Sequence, residues 1–103
     1  MVSSKSFRNW AKSFTGVTEQ PHHNKTSFRV QKKIFATLDE KYRRCSLVLP
    51  SVEQSVYCTY DKEIFHPATG AWGRQGWTII ELSQVPAAML KEALKKAYNH
   101  ISG

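Results

Sequence analysis

The segment Ala71-Trp72-Gly73-Arg74-Gln75-Gly76-Trp77 interleaves two indole rings with a guanidinium. Rings beside cations equip single-strand-binding surfaces, where bases stack on the aromatic faces and the cation follows the phosphates. Two basic doublets, Lys32-Lys33 and Arg43-Arg44, offer a related chemistry. On protruding hairpins such residues enter a groove or track a backbone while carrying little sequence information. Each feature also has a plain structural reading. Trp77 enters the core and Trp72 covers its edge, both glycines permitting a tight approach, while a charged turn guards sheet edges against aggregation. Gly73-Arg74-Gln75-Gly76 also has the GxxG spacing with which KH domains clamp a backbone. That clamp needs a helix on each side. Here the pattern predicts a loop before and a strand after, so the KH reading is rejected.

Other chemistries are poorly supplied. The histidines are His22, His23, His66 and His100. A metal site needs several ligands at short paired spacings, and no Cys or carboxylate sits so beside His22-His23, whose side chains point apart on an extended chain. No metal and no cofactor are expected. Cys45 and Cys58 lie among Leu, Val and Tyr, where small buried thiols stay inert. With no second pair and no CxxC, the expectation is two free thiols in a reducing cytoplasm. Nucleophile elbow, P-loop and dinucleotide fingerprint are all absent. An enzyme would need His66 close to a carboxylate such as Asp61 or Glu63, and the non-enzyme reading is the stronger one.

The elements that must position these residues follow from periodicity. Phe7, Trp10, Ala11 and Phe14 fall on one face of an opening helix, with Ser4 or Ser6 as cap and Gly16 past its end. Gln20 to Asn24 is assigned to a loop. Thr26–Val30 and Ile34–Leu38 are predicted strands of an antiparallel hairpin around Gln31-Lys32-Lys33, a tip without the Gly or Asn-Gly that tight turns favour. After the charged connector Asp39–Arg44, Cys45–Leu49 is a third strand. Ser51-x-x-Gln54 has the capping-box pattern of a short helix reaching about Cys58. Residues 59–76 are assigned to irregular chain with a short strand near Glu63–Phe65. Trp77–Leu82, apolar on both faces, is predicted to be a central strand. From Ser83–Pro86 onward, Leu90, Leu94, Ala97, Tyr98 and Ile101 mark a final helix, with Glu92 and Lys96 paired on its exposed side.

This order predicts a single α+β domain over residues 1–103: two layers, a twisted antiparallel sheet packed by the N- and C-terminal helices. At 103 residues, 41% hydrophobic and 22% charged, the chain is neither disordered nor low-complexity, and no apolar run approaches a membrane span. Fifteen Lys and Arg against eight Asp and Glu give +7. The excess concentrates between Gln20 and Pro50, in Lys25, Arg29, Lys32, Lys33, Lys41, Arg43 and Arg44. A polyanion that releases counterions on binding is the natural partner, and solubility is the alternative use of the charge.

Several stretches together resemble the MmcQ/YjbR family: Phe14-Thr-Gly-Val-Thr-Glu19, Ser27-Phe-Arg-Val-Gln-Lys-Lys-Ile-Phe-Ala-Thr-Leu38, Phe65-His-Pro-Ala68 and Gly73-Arg-Gln-Gly-Trp-Thr78. The resemblance runs through nearly the whole chain. It implies a CyaY-like fold and the DNA binding, by a double-wing mode, commonly ascribed to the family, and it supplies no catalytic residue. It also implies two departures. The hairpin tip, often Gly in relatives, is here more basic and less tightly folded, and Val48-Leu49 stands where many relatives carry Lys. CyaY-type iron binding goes with an acidic ridge, whereas the first helix here carries Lys5, Arg8 and Lys12 and no acid, so iron delivery is not expected.

The resulting expectation is a cytoplasmic, non-enzymatic DNA-binding protein, monomeric or weakly dimeric. Lys32, Lys33, Arg43, Arg44 and Arg74 would contact phosphates, and Trp72 would stack or insert. The alternative is an adaptor that binds a small ligand or a protein in a concave apolar pocket around residues 66–77.

Overall fold

The computed structural model describes residues 1–103. Four helices and six strands follow the order α1 (Ser4–Lys12), β1 (Thr18–His22), β2 (Lys25–Val30), β3 (Lys33–Asp39), β4 (Arg44–Val48), α2 (Ser51–Tyr60), β5 (Phe65–Pro67), α3 (Gly70–Arg74), β6 (Trp77–Glu81) and α4 (Ala87–Ser102). The strands form one antiparallel sheet in the order β1-β2-β3-β4-β6-β5. No helix is long and apolar enough to cross a membrane.

Alternation along each strand decides which side chains meet the helices. The register aligns Phe28 with Ala36, Ala36 with Leu47 and Leu47 with Thr78. A second row aligns Leu38, Cys45, Ile80 and Phe65. All of these are buried. Phe7 of α1 meets Phe28 edge-on at 5.7 Å, Tyr98 of α4 meets Phe35 at 5.6 Å, and Tyr57 of α2 packs on Phe65 at 5.1 Å. Three helices therefore cover the same face. Burying each large apolar side chain there contributes about 1.5–3 kcal/mol, which makes this layer the source of most stability.

A β-bulge fits the aromatic layer to the sheet. The pairing slips between Phe28↔Ala36 and Arg29↔Ile34, so that Phe35 and Ala36 are both buried. A second link ties α2 to α4. Lys96 Nζ lies 2.6 Å from a Glu53 carboxylate oxygen, while the Tyr57 hydroxyl donates to Glu92. Burial, reinforced by that hydrogen bond, pushes the Tyr57 hydroxyl up to about 12. The same hydrogen bond, with Lys96 nearby, holds the Glu92 carboxyl below its usual range.

Several local expectations are corrected. Ser3, not Ser4 or Ser6, caps α1, its Oγ accepting from the Ser6 N–H at 3.0 Å. Gln20–His22, assigned to a loop, belongs to edge strand β1. Pro21 is tolerated there because an edge strand leaves one side of its backbone unpaired. The capping box does not form. Pro50 holds the cap position, α2 runs on to Tyr60, and the Gln54 amide instead donates to the Gly73 and Trp77 carbonyls. Pro86 likewise holds the cap position of α4, which starts at Ala87. Within residues 59–76, β5 sits two residues later than expected, and α3 adds a turn of helix that periodicity is too short to reveal. Gly76 has φ +105° and a Cβ there would stand 2.2 Å from the Leu49 carbonyl oxygen, so only glycine fits this crossing. β6 is an interior strand as predicted, but only Thr78 and Ile80 are buried, whereas Trp77, Ile79 and Glu81 are partly exposed on the other face.

Candidate nucleic-acid interface

The sheet face opposite α1, α2 and α4 is mixed, with Ile34, Val48 and Trp77 lying on it beside the polar side chains. Its middle row reads Gln20, Ser27, Thr37, Ser46, Ile79 and His66 from edge to edge. The Ser27 hydroxyl donates to the Gln20 carbonyl, the Arg29 Nε–H donates to Ser27 Oγ at 3.2 Å, and the Thr37 and Ser46 hydroxyls bond each other. Lys25 and Arg29 point to this side by alternation with buried Phe28 and Val30.

Lys32 and Lys33 sit at the β2–β3 turn, both exposed. The turn is tighter than the sequence implied. Val30 pairs with Lys33, leaving two loop residues, Gln31 at φ +53° and Lys32 at φ +66°. Positive φ at both is the type I′ pattern, usually Asn-Gly, because its twist matches that of the flanking strands. Strand twist thus overrides side-chain preference here. Arg74 and Trp72 lie on α3, which bridges β5 and β6 at the same end of the sheet. Trp72 is 65% exposed, so it does not close over the core, whereas Trp77 is half-buried against it.

Arg43 and Arg44 stand elsewhere. The antiparallel order puts the β3–β4 turn at the opposite end, about 20 Å away along the seven residues of β3. Arg43, at φ +53°, is exposed and lines a cavity of about 170 Å³ with Met1, Val2, Ser3, Ser4 and Ser83. Arg44 is already paired: its Nε–H reaches the two Glu81 carboxylate oxygens at 3.1 and 2.9 Å, and His66 Nε2 shares that carboxylate at 3.0 Å. The six residues named from sequence therefore do not meet at one point. Lys32 and Lys33 share an end of the sheet with Arg74 and Trp72, while Arg43 and Arg44 occupy the other end, Arg44 beside an acid.

Sequence reasoning counted Lys25 and Arg29 in the basic excess but not among the phosphate contacts. Had the strand been extended by one residue to Lys25, its alternation would have placed both opposite Phe28. With Lys32 they form a basic line about 20 Å long, the rise of roughly six base steps at 3.4 Å each. Charge compensation sharpens the picture. Only Arg8, Lys12, Arg44 and Lys96 of the fifteen Lys and Arg pair with a carboxylate. Three of those four lie on α1 and α4. Lys25, Arg29, Lys32 and Lys33 have no acidic partner.

The carboxylate beside His66 is Glu81, not Asp61 or Glu63. Asp61 instead accepts from the Glu63 N–H. Ser46, the hydroxyl of the same row, is separated from His66 by Ile79 and thus by two strand spacings, about 10 Å. That is beyond the reach of a nucleophile–base pair. The His22 and His23 rings, expected to diverge, meet edge-on at 4.7 Å because His23 turns the chain at φ +59°. No three His, Cys, Asp or Glu side chains gather as a metal site would need. Cys45 is buried and Cys58 half-buried, and burial pushes both thiols up. Cavities of about 170 and 200 Å³ are lined by Met1–Ser4 with Arg43 and Ser83, and by Trp10, Ser13, Phe14, Lys91, Leu94 and Lys95, so neither touches the Trp72 segment.

The YjbR family model matches residues 12–100. The chain also superposes on the crystal structure of the Deinococcus radiodurans protein DR2400, a DUF419-domain protein, with a TM-score of 0.87 and 19% identity, covering 99% of this chain and 80% of that one. At that identity the likeness shows the α+β fold alone. No curated protein matches.

Proposed function

The chain belongs to the YjbR family, and we propose that it binds the sugar–phosphate backbone of duplex DNA along its β2–β3 hairpin, without catalysis. The observation that carries this reading is the segregation of charge. Three of the six cations on α1 and α4 have carboxylate partners, while Lys25, Arg29, Lys32 and Lys33 line one hairpin with no acid between Gln20 and Leu38 and none of them is paired. Cations left unpaired along one hairpin suit phosphates, where each contact releases counterions. Arg74 and Trp72 extend the contact past the same end of the sheet, the indole at the edge of a groove. Arg43 supplies a further contact only to a duplex long enough to reach the other end. The reading carries a cytoplasmic location, where DNA is available and two free thiols persist.

The test is fluorescence anisotropy of labelled duplex across a salt series, comparing the wild type with the double variant Lys32→Glu, Lys33→Glu. The wild type is expected to bind at micromolar concentration with a log–log slope of about −3 or steeper, each phosphate contributing roughly −0.9. The double variant should weaken all sequences alike and flatten the slope by about 2. Unchanged binding by the double variant removes the hairpin from the interface.

A further inference from the structure

We propose that the exposed face of α2 is a self-association surface on which a second copy of this chain docks antiparallel, forming a weak twofold dimer. The inference stands apart from the DNA reading. Its starting point is a repeat of four residues, Ser51-Val52, Ser55-Val56, Thr59-Tyr60. All six side chains are exposed, and none is charged. Val52, Val56 and Tyr60 follow one another at i, i+4 and i+8 and are 71, 57 and 62% exposed, half of the large hydrophobic side chains that the fold leaves outside. The inward side of the same helix is fully engaged, through Tyr57 on Phe65, Gln54 on α3, and Glu53 on Lys96.

Charge identifies the occupant. The stretch from Cys45 to Asp61 holds none of the fifteen Lys and Arg. The nearest cation bonded to α2, Lys96, is neutralised by Glu53 and Glu92. In a molecule of net charge +7 this face, with Lys62 only beyond its C-terminal end, offers a second +7 molecule a contact free of opposed cations along the ridge. Geometry suits the same occupant. A twofold axis through Val56 lays Val52 against Tyr60 of the other copy, so the ridge is its own complement, as an isologous contact requires. The flanking Ser51, Ser55 and Thr59 are small enough for the helices to approach closely, ridge into groove. The antiparallel arrangement also brings the positive end of each helix dipole beside the negative end of the other. One ten-residue helix covers roughly half of the ~800 Å² per partner of a standard interface. The dimer is therefore weak.

Sedimentation velocity on the full chain, at concentrations rising to about 1 mM and at salt from about 0.05 to 0.5 M, reads the association directly. A reversible dimer is expected, strengthening as salt screens the +7 charges. DNA binding would move the opposite way with salt. Val56→Arg puts a cation on the symmetry axis and should weaken association at least about tenfold. Val56→Leu should keep it, and both variants should retain wild-type circular dichroism because Val56 is exposed in the single copy. A chain monomeric at the highest concentration and salt overturns the proposal. So does a Val56→Arg variant that dimerises as the wild type does, which would place the contact on another face.

Discussion

The two faces of this sheet spend their side chains differently. Toward the helices, Phe28, Ala36, Leu38, Cys45, Leu47, Ile80 and Phe65 are buried under α1, α2 and α4. At the rim of that layer Arg8 pairs with Glu19 and Glu40 and Lys96 with Glu53 and Glu92, while Lys5, Lys91 and Lys95 stay unpaired. The opposite face has hydroxyl hydrogen bonds, a cluster in which Arg44 and His66 share the Glu81 carboxylate, and a line of unpaired cations along β2. One face holds the fold together. The other keeps its electrostatic field unspent and so available to a ligand. Surface ion pairs are worth only about 0–1 kcal/mol, so the pairing around the helices matters less for stability than for where it leaves free positive charge.

Matched truncations on the two faces break this comparison most directly. Phe28→Ala removes a fully buried ring that packs edge-on against Phe7. It should cost about 3–5 kcal/mol in urea denaturation. Thr37→Ala on the opposite face loses its bond with Ser46 and should cost only about 0.5–1.5 kcal/mol. Equal losses would mean that the hydroxyl row, and not only the helix layer, holds the sheet.

The β2–β3 turn separates stability from binding. Gln31 and Lys32 both occupy the left-handed region, which disfavours side chains by about 1–2 kcal/mol per residue. Replacing the pair by Asn-Gly (Gln31→Asn, Lys32→Gly) should therefore raise unfolding stability by about 1–2 kcal/mol. On the DNA reading the same variant loses one phosphate contact, flattening the salt slope by about 0.9. A chain that gains stability and binds less would show that the basic tip is kept at the expense of the fold.

How legible these features were depended on the length of the signal. The buried face of the hairpin, the strand from Trp77 and the last helix all carry apolar periodicity over five residues or more, so their existence and type could be read from sequence. β1 could not, because Thr18–His22 is an edge strand whose side chains are largely exposed and carry no alternation. α3 spans five residues, too few for a helical period, and is set by the glycine crossings at Gly73 and Gly76. Among the candidate site residues, adjacency in sequence suggested doublets, whereas pairing across strands decided their surroundings. Arg44 meets Glu81, thirty-seven residues away, and loses its freedom, while Lys25 and Arg29, four residues apart, turn out to share a face.

Alkaline pH gives a smaller lever on the helix layer. Burial holds Tyr57 neutral up to about 12, against an unfolded value near 10. The native state thus keeps a proton that the unfolded chain releases. The resulting stability is complete below about pH 10 and is lost as pH rises through about 12. Hydrogen bonding to Glu53 raises Lys96, which contributes in the same direction. Tyr57→Phe removes the tyrosine's share and leaves the part of the lysine's that Glu53 supplies. The stability gap between wild type and variant, about 0.5–1.5 kcal/mol near neutrality, should therefore narrow in denaturation curves taken from pH 9 to 12. A gap of constant width would mean that the hydroxyl titrates as it does in the unfolded chain.

The smallest expected effect on stability bears most closely on where the open face ends. Glu81→Gln keeps the side-chain shape between Arg44 and His66 and removes one negative charge. The Arg44 side chain is 48% exposed, so solvent screens the pair and the stability change should stay below about 1 kcal/mol. Freed of its acid, Arg44 stands at the far end of the sheet from Lys32. If a duplex spans both ends, the variant should bind DNA more tightly than the wild type, with a salt slope steeper by about 0.9 from one added phosphate. If affinity and slope are both unchanged while Lys32→Glu, Lys33→Glu still abolishes binding, the interface is confined to the hairpin. Glu81 would then serve to dock β4 against β5 through His66 and Arg44, and the cations of the β3–β4 turn would lie outside the site.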